Sequence, residues 1–328
     1  MPKLLFNHYD TLDDLLNDVF DDLVNVAADV TPTRGKTKEI IGVSFCLKNP
    51  RARLSRTETK GTVFSALGEL LWYLSGDNKL DFIKHYLKRY EEESEDGLTV
   101  YGGYGPRLFK LRGKYNQIKN ITELLANKPA SRRAVIQLFD GKDINQTHLE
   151  IPCTCTMQFF VRQKKLHLQV SMRSNDAYKG LPHDVFAFTM LQEIIARELN
   201  IELGEYYHSV GSLHLYSGDK AKVKEYLNEG FQPTTLPMPP MPLGSPWKSI
   251  DFLLGVEARS RVDEPVDISD VQIDQYWLDL AKLIQIHSLF LAKNYDGIIQ
   301  FRKGINDIYN VYIDKRLVNS RKKRKLID

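Results

Sequence analysis

The stretch TMQFFVRQKKLHLQVSMRSNDAYKGLPHDVFAFTMLQEIIAREL, Thr156 to Leu199, decides the fold class. Its first two segments, TMQFFV and LHLQVSM, alternate apolar side chains with a period of two and are joined by the polar RQKK, which predicts an antiparallel strand pair. A polar run and a Gly-Leu-Pro turn follow. Then HDVFAFTMLQEIIAREL reads as a helix too apolar for a surface position, so it must lie against the sheet. The expected class is α/β (α+β), an antiparallel-rich sheet covered by helices.

Working outward, AVIQLF, KEIIGVSFCL and GEYYHSVGSLHLY read as further strands. Residues 11–29 read as an amphipathic helix with Thr11 as its cap, and VFSALGELLWYLSG as a helix ending at Gly76. That second helix carries one charge, Glu69, inside its apolar run. Such a charge marks either an exposed edge or a carboxylate held in a site. The segment PTTLPMPPMPLGSP, 233–246, continues neither element and divides the chain into a main domain over 1–232 and a helical extension over 247–328. Residues 270–314 carry a helical period, clearest in DQYWLDLAKLIQIHSLFLAKN, and the terminal RKKRK reads as a solvated charge run.

Against 45 basic residues stand 42 acidic ones, a balance too even for nucleic-acid binding by bulk charge. No segment reads as a signal peptide or membrane span, and three cysteines make a set too sparse and odd for a disulfide framework. A cytoplasmic protein is expected, with no membrane or nucleic-acid partner. No Cys/His pattern has zinc-ligand spacing, so no metal is expected. Of the pair in IPCTC, Cys153 and Cys155, each can be a small core residue or a nucleophile.

The chemistry gathers in MRSNDAYKGLPHDVF. Arg173 and Ser174 offer a guanidinium fork and a hydroxyl to a phosphate, Asp176 and Asp184 add acceptors, and the turn at Gly180 lets a ring approach the backbone. Arg34 in TPTRGK, with Arg132 and Arg133 in SRRAVIQ, can add to a phosphate site. His214 and Tyr216 stand two apart on one strand face, suited to a sugar hydroxyl.

In order along the chain, GELLWYLSGD, YGPR, SRRAV, PCxxxxQF, RSNDxxxGLP and HLY resemble the thymidylate synthase family, which includes the phage deoxycytidylate hydroxymethylases. The resemblance implies a homodimer with shared active sites that joins a one-carbon unit from 5,10-methylenetetrahydrofolate to C5 of a pyrimidine nucleoside monophosphate. It implies Cys153 as the nucleophile toward C6, its thiol made more acidic by Arg173. Arg34, Arg173 and Ser174 would bind the phosphate, with Arg132 and Arg133 supplied by the partner subunit, and His214 and Tyr216 would bind the sugar. Asp176, Trp72 and Gly180 would face the folate. Glu69 would serve the proton network, and Tyr104 would help remove the C5 proton. Cys155 has no role in the family and reads as packing.

Three departures bear on the reaction. Where enzymes acting on deoxyuridylate carry asparagine, this chain has Asp184, whose acceptors suit the cytosine amine and repel O4 of uracil; a helix cap is the plain structural alternative. The segment DFIKHYLKRYEEESEDGLTVYGG lacks the family's tryptophan, and the C-terminal KKRKLID replaces its apolar closing tail. A less sealed site favours a hydroxymethyl product. The expected function is therefore C5 hydroxymethylation of a cytidine monophosphate. A thymidylate synthase methylating deoxyuridylate is the alternative, followed by a non-catalytic nucleotide-binding member.

Overall fold

The two apolar runs of the opening stretch form a hairpin, β5 (Thr154–Arg162) and β6 (Lys165–Asp176). Its turn is Gln163-Lys164, with φ of 51° and 59°; two positive values match the right-handed twist of the flanking strands. The computed structural model describes residues 7–32, 35–57, 60–231, 237–264 and 266–324, without the side chains of 320–324.

Among the described residues, β1 (Asn7–Tyr9), β2 (Ala28–Val30), β3 (Thr37–Leu47), β4 (Val135–Gln137) and β7 (Glu202–Tyr216) complete a single mixed sheet. Its order is β1-β3-β7-β6-β5-β4, with β2 also on β3. The β1–β3 and β6–β7 pairs are parallel and the others antiparallel. Three strands are irregular along one line. In β3, Gly42 (φ 73°) falls between the pairs Ile41↔Ser212 and Val43↔Val210, opposite Gly211 of β7. In β5 the register breaks at Cys155, between Thr154 and Thr156. Beyond this line the buried positions change phase: Tyr206, His208 and Val210 are followed by Leu213 and Leu215, and Met172 is followed by Asn175. Gly211 is required there, because a Cβ would lie 2.8 Å from the carbonyl oxygen of Arg173.

Helices α1 (Leu12–Asn25), α2 (Val63–Leu74), α3 (Leu80–Lys84), α4 (Tyr104–Phe109), α5 (Gln117–Asn127), α6 (Leu181–Glu198) and α7 (Lys220–Glu229) precede the proline-rich segment. Thr11 caps α1 as expected, accepting from Asp14 N–H at 3.1 Å. The helix stops at Asn25 rather than 29, because Ala28–Val30 pairs with β3 instead. Helix α6 is buried at every position except Asp184 and Glu198, which accounts for its greasy sequence. Only three residues of AVIQLF pair as β4.

After the connector come α8 (Trp247–Arg261), α9 (Gln275–Leu291), α10 (Tyr295–Phe301) and α11 (Asn310–Arg324). The stretch expected to be helical over 270–314 is interrupted at Asn294, whose side chain caps α10, and again before α11. Within the connector's described part, Met238 N–H donates to Arg51 O at 2.9 Å and Met241 N–H to Glu193 Oε1 at 2.9 Å, and both methionines are buried. The last helices lean on the same core: Tyr312 O–H donates to Ser55 O at 2.8 Å, and Arg316 Nη1 to His287 Nδ1 at 2.8 Å. No helix among the described residues is long and apolar enough to cross a membrane.

Candidate active site

Cys153 lies in the turn that enters β5, half-buried against the core. Its carbonyl accepts from Arg173 N–H at 2.8 Å, tying the turn to β6. The Arg173 guanidinium closes over the same turn: Nε donates to Pro152 O at 3.0 Å, and Nη2 to Ile151 O at 3.0 Å and to Cys153 Sγ at 3.6 Å. The thiol itself donates to Glu150 Oε1 at 3.9 Å. Burial pushes the Cys153 thiol up to about 12, Glu150 adds to the rise, and Arg173 opposes both. Arg173 acts in the expected direction, but desolvation of the thiolate is the larger effect. Cys155 occupies the strand irregularity and is half-buried, so it serves the bend of β5 rather than filling the core.

Tyr104 opens α4, and its hydroxyl donates to Thr154 Oγ1 at 3.0 Å while accepting from Thr154 N–H at 3.1 Å. Burial, with Cys153 and Asp184 nearby, holds this phenol well above its ordinary range, so it stays neutral. Glu69, on α2, is buried and accepts from Tyr90 O–H at 2.6 Å. One turn on, Trp72 is buried with its ring edge to face on Tyr90 at 5.3 Å. Its Nε1 and the Nε of Arg89 have no partner among the described residues.

Asp184 is in the first turn of α6 but makes no capping hydrogen bond, so the helix-cap explanation does not hold. Its Oδ2 accepts from Asn175 Nδ2 at 2.7 Å. Burial and the charge of Glu69 push its carboxyl up to about 8, against the Asn175 bond and Arg89. The acid is thus mostly neutral at pH 7, and the acceptor-only carboxylate expected from residue type gives way to one acceptor and one O–H donor. Gly180 packs against this pair: a Cβ there would lie 3.0 Å from Asn175 Nδ2 and 3.4 Å from Asp184 Oδ2.

The Asp176 carboxylate turns back to accept from Tyr178 N–H at 2.8 Å and Lys179 N–H at 3.0 Å. Lys60 stands beside it, over the Tyr178 ring at 4.2 Å; burial lowers its ammonium to about 8, against the pull of Asp176. Ser174 Oγ is 3.5 Å from His214 Nδ1, and the His214 and Tyr216 rings meet edge to face at 5.2 Å. Strands β5, β6 and β7 or the turn before them thus carry Cys153, Arg173, Ser174, His214 and Tyr216, while helices α2, α4 and α6 carry Glu69, Trp72, Tyr104 and Asp184, with Tyr104 joined to the strands at Thr154. Arg132 and Arg133 are not brought in. Both are exposed just before β4, and neither side chain is paired among the described residues. Arg34 and the terminal KKRKLID beyond Arg324 lie outside the described residues.

Sequence reasoning missed Glu150, Arg89, Tyr90, Asn175 and His208. Arg89 and Tyr90 hide in a charged segment without periodicity, and only the fold brings them over Glu69. Asn175 sits inside the quoted motif, where its neighbour Asp176 drew the attention.

Comparison with known proteins gives the family. The family model for thymidylate synthase matches residues 12–260. A deoxyuridylate hydroxymethyltransferase of Delftia phage PhiW-14 is 27% identical over 248 residues, covering 70% of this chain and 68% of the relative. A thymidylate synthase of Bacillus phage phi3T is 34% identical over 160 residues, 47% of this chain and 57% of the relative. Thymidylate synthase 1 of Bacillus spizizenii is 31% identical over 210 residues, 61% of this chain and 75% of the relative. The ordered motifs, the mixed helix-covered sheet and a match running through most of the chain lead to one conclusion: the protein belongs to the thymidylate synthase family of pyrimidine C5 methyl- and hydroxymethyltransferases.

Proposed function

We propose that the protein hydroxymethylates C5 of a cytidine monophosphate. The observation that carries this reading is Asp184 at the family's base-reading position, its Oδ2 held by Asn175 Nδ2 at 2.7 Å, where burial and Glu69 favour the neutral acid. A neutral carboxyl can donate O–H to N3 of cytosine and accept from the exocyclic amine, so neither partner needs an unusual charge. A mismatched edge in a buried site costs about 1 to 3 kcal/mol, enough to discriminate between bases about tenfold or more. In its other protonation pattern the same acid would suit uracil, and a relative bearing the name deoxyuridylate hydroxymethyltransferase makes uridylate the second reading.

Cys153 forms a bond from sulfur to C6 and the displaced electron pair makes C5 nucleophilic. Glu150, the carboxylate facing the thiol, is placed to accept its proton. Arg173 and Ser174, with Arg34, would bind the phosphate, and His214 and Tyr216 the sugar. Tyr104 contributes a neutral hydroxyl near C5, while Glu69 with Tyr90 organises protons around the base. 5,10-Methylenetetrahydrofolate would supply the electrophilic carbon, held by Asp176, Trp72 and Gly180; the unpaired buried donors of Trp72 and Arg89 suit a polar ring. The segment without the family's tryptophan brings Tyr90 and Arg89 to Glu69 and Trp72, adding a hydroxyl and a guanidinium to the site, in keeping with a hydroxymethyl product. The exposed Arg132 and Arg133, with Ile41 77% and Val135 41% exposed on the sheet, fit a homodimer in which each subunit lends arginines to the other.

Mass spectrometry of products after incubation with methylenetetrahydrofolate and each of the four pyrimidine monophosphates tests the proposal. A 5-hydroxymethylcytidylate product is expected, and Asp184→Asn should shift specificity toward uridylate by about tenfold, roughly 1.4 kcal/mol. Preference of the unaltered enzyme for uridylate, or a methyl product, would overturn it.

A further inference from the structure

Behind Asp184 runs a line of buried polar groups that neither phosphate, sugar nor folate binding uses. Tyr206 O–H meets His208 Nδ1 at 2.5 Å, His208 Nε2 meets Asn175 Oδ1 at 3.2 Å, and Asn175 Nδ2 donates to Asp184 Oδ2 at 2.7 Å. Tyr206 and His208 are fully buried and Asn175 is 3% exposed, so water does not compete for these bonds. His208 is further fixed by stacking on Phe45, with centroids 4.8 Å apart and rings 12° from parallel.

The bonds are directional. Burial lowers His208 to about 3, so the imidazole is neutral and has a single N–H. The buried Tyr206 hydroxyl has no other partner among the described residues, so its proton goes to Nδ1; the imidazole N–H is then on Nε2 and points at the Asn175 carbonyl. The Asn175 amide then donates to Oδ2 of Asp184. Of the two oxygens of a neutral acid the carbonyl oxygen is the better acceptor, which favours the acid proton on Oδ1. Reversing every bond would move the proton to Oδ2 but leave the buried Tyr206 O–H without an acceptor among the described residues, so the line as a unit favours the proton on Oδ1.

We propose that Tyr206, His208 and Asn175 are positioning residues that fix which oxygen of Asp184 carries the acid proton, and thereby which pyrimidine the enzyme accepts. This rests on Asp184 reading the base. Once sulfur and phosphate hold the nucleotide, one carboxyl oxygen faces position 3 of the ring and the other position 4. A proton toward position 3 suits cytosine, and a proton toward position 4 suits uracil. A free carboxyl would serve both; the buried line removes that freedom. Gly180 leaves the Asn175–Asp184 bond the room it needs.

The test is the ratio of dissociation constants for cytidylate and uridylate, measured by calorimetry on the full chain without folate. Tyr206→Phe removes only the first donor, and His208→Phe keeps a ring on Phe45 but removes both nitrogens. Either should move the ratio toward unity, by about threefold and tenfold respectively. His208→Gln, which returns an amide to the place of Nε2, should restore most of it. If the variants weaken both nucleotides equally, or leave the ratio unchanged while Asp184→Asn alters it, the inference fails and base reading by Asp184 stands. If Asp184→Asn also leaves the ratio unchanged, base reading itself fails. A starting preference for uridylate that collapses in the variants would overturn the cytidylate reading and support the relay. Circular dichroism confirms folding, and the conservative Tyr206→Phe decides should His208→Phe not fold.

Discussion

Cys153 and Cys155 are separated by one residue and have different surroundings. The first shares its turn with Arg173 and Glu150, and the second occupies the register break of β5. Cys153→Ser should abolish turnover and the covalent adduct with a 5-fluoropyrimidine nucleotide, whereas Cys155→Ser should leave both within about twofold; intact-mass measurement distinguishes them. Adduct formation by Cys153→Ser would refute its assignment. Cys153 could be proposed as the nucleophile from sequence because proline precedes it within an ordered series of motifs. Its acidity was not legible, because the sequence shows a nearby Arg but neither the desolvation that outweighs it nor the approach of Glu150. The same limit applies to Asp184. Its position could be read from RSNDxxxGLP, but its protonation depends on Glu69 and Asn175 meeting it in space.

At the level of elements, alternation gave the strands and a long apolar run gave α6, because those patterns are repeated over many residues. The irregularity at Gly42, Gly211 and Cys155 involves one residue per strand and leaves little trace beyond a glycine and a shift in phase. Two substitutions separate its components. Gly42→Ala meets no atom within 4 Å and suffers only from φ 73°, a cost of about 1 to 2 kcal/mol. Gly211→Ala meets the Arg173 carbonyl, and since that backbone also fixes Arg173 beside Cys153, it should lower both melting temperature and kcat. Denaturant titration and single-turnover rates should show stability loss alone for the first and both losses for the second. Full activity in Gly211→Ala would show that the strand pair accommodates the methyl without moving Arg173.

At the scale of the molecule, the later helices and the connector share a core with the sheet, an arrangement that a proline-rich boundary does not disclose. Proline marks where an element stops; it is silent on whether the next one packs back. The fusion has a titratable signature. His287 accepts from Arg316 and donates to His85 O at 3.1 Å, and burial with Arg316 lowers it to about 3. The unfolded chain protonates this group near pH 6.5 while the folded chain does not. Between about pH 6.5 and 3 the unfolded state therefore binds more protons, and the contribution of His287 to stability falls as pH falls, by up to about 1.4 kcal/mol per pH unit. His287→Asn, with an amide oxygen near the place of Nδ1, should flatten the decline of melting temperature between pH 7 and 5. An unchanged slope would show that other groups set the acid limit.

A homodimer should sediment as such at micromolar concentration; a monomer would leave Arg132 and Arg133 without their role. The change of phase along the bulged line has one more consequence. Past the line the strands keep a core face, at Leu213 and Leu215, and turn Ser174, Asp176, His214 and Tyr216 the other way. A saturation library scored for abundance and turnover in parallel should therefore split by face there, with Leu213 and Leu215 sorting by abundance and Ser174, Asp176, His214 and Tyr216 by turnover. Before the line, Tyr206 and His208 would be the exceptions among the buried positions, because they reach across to Asp184 through Asn175.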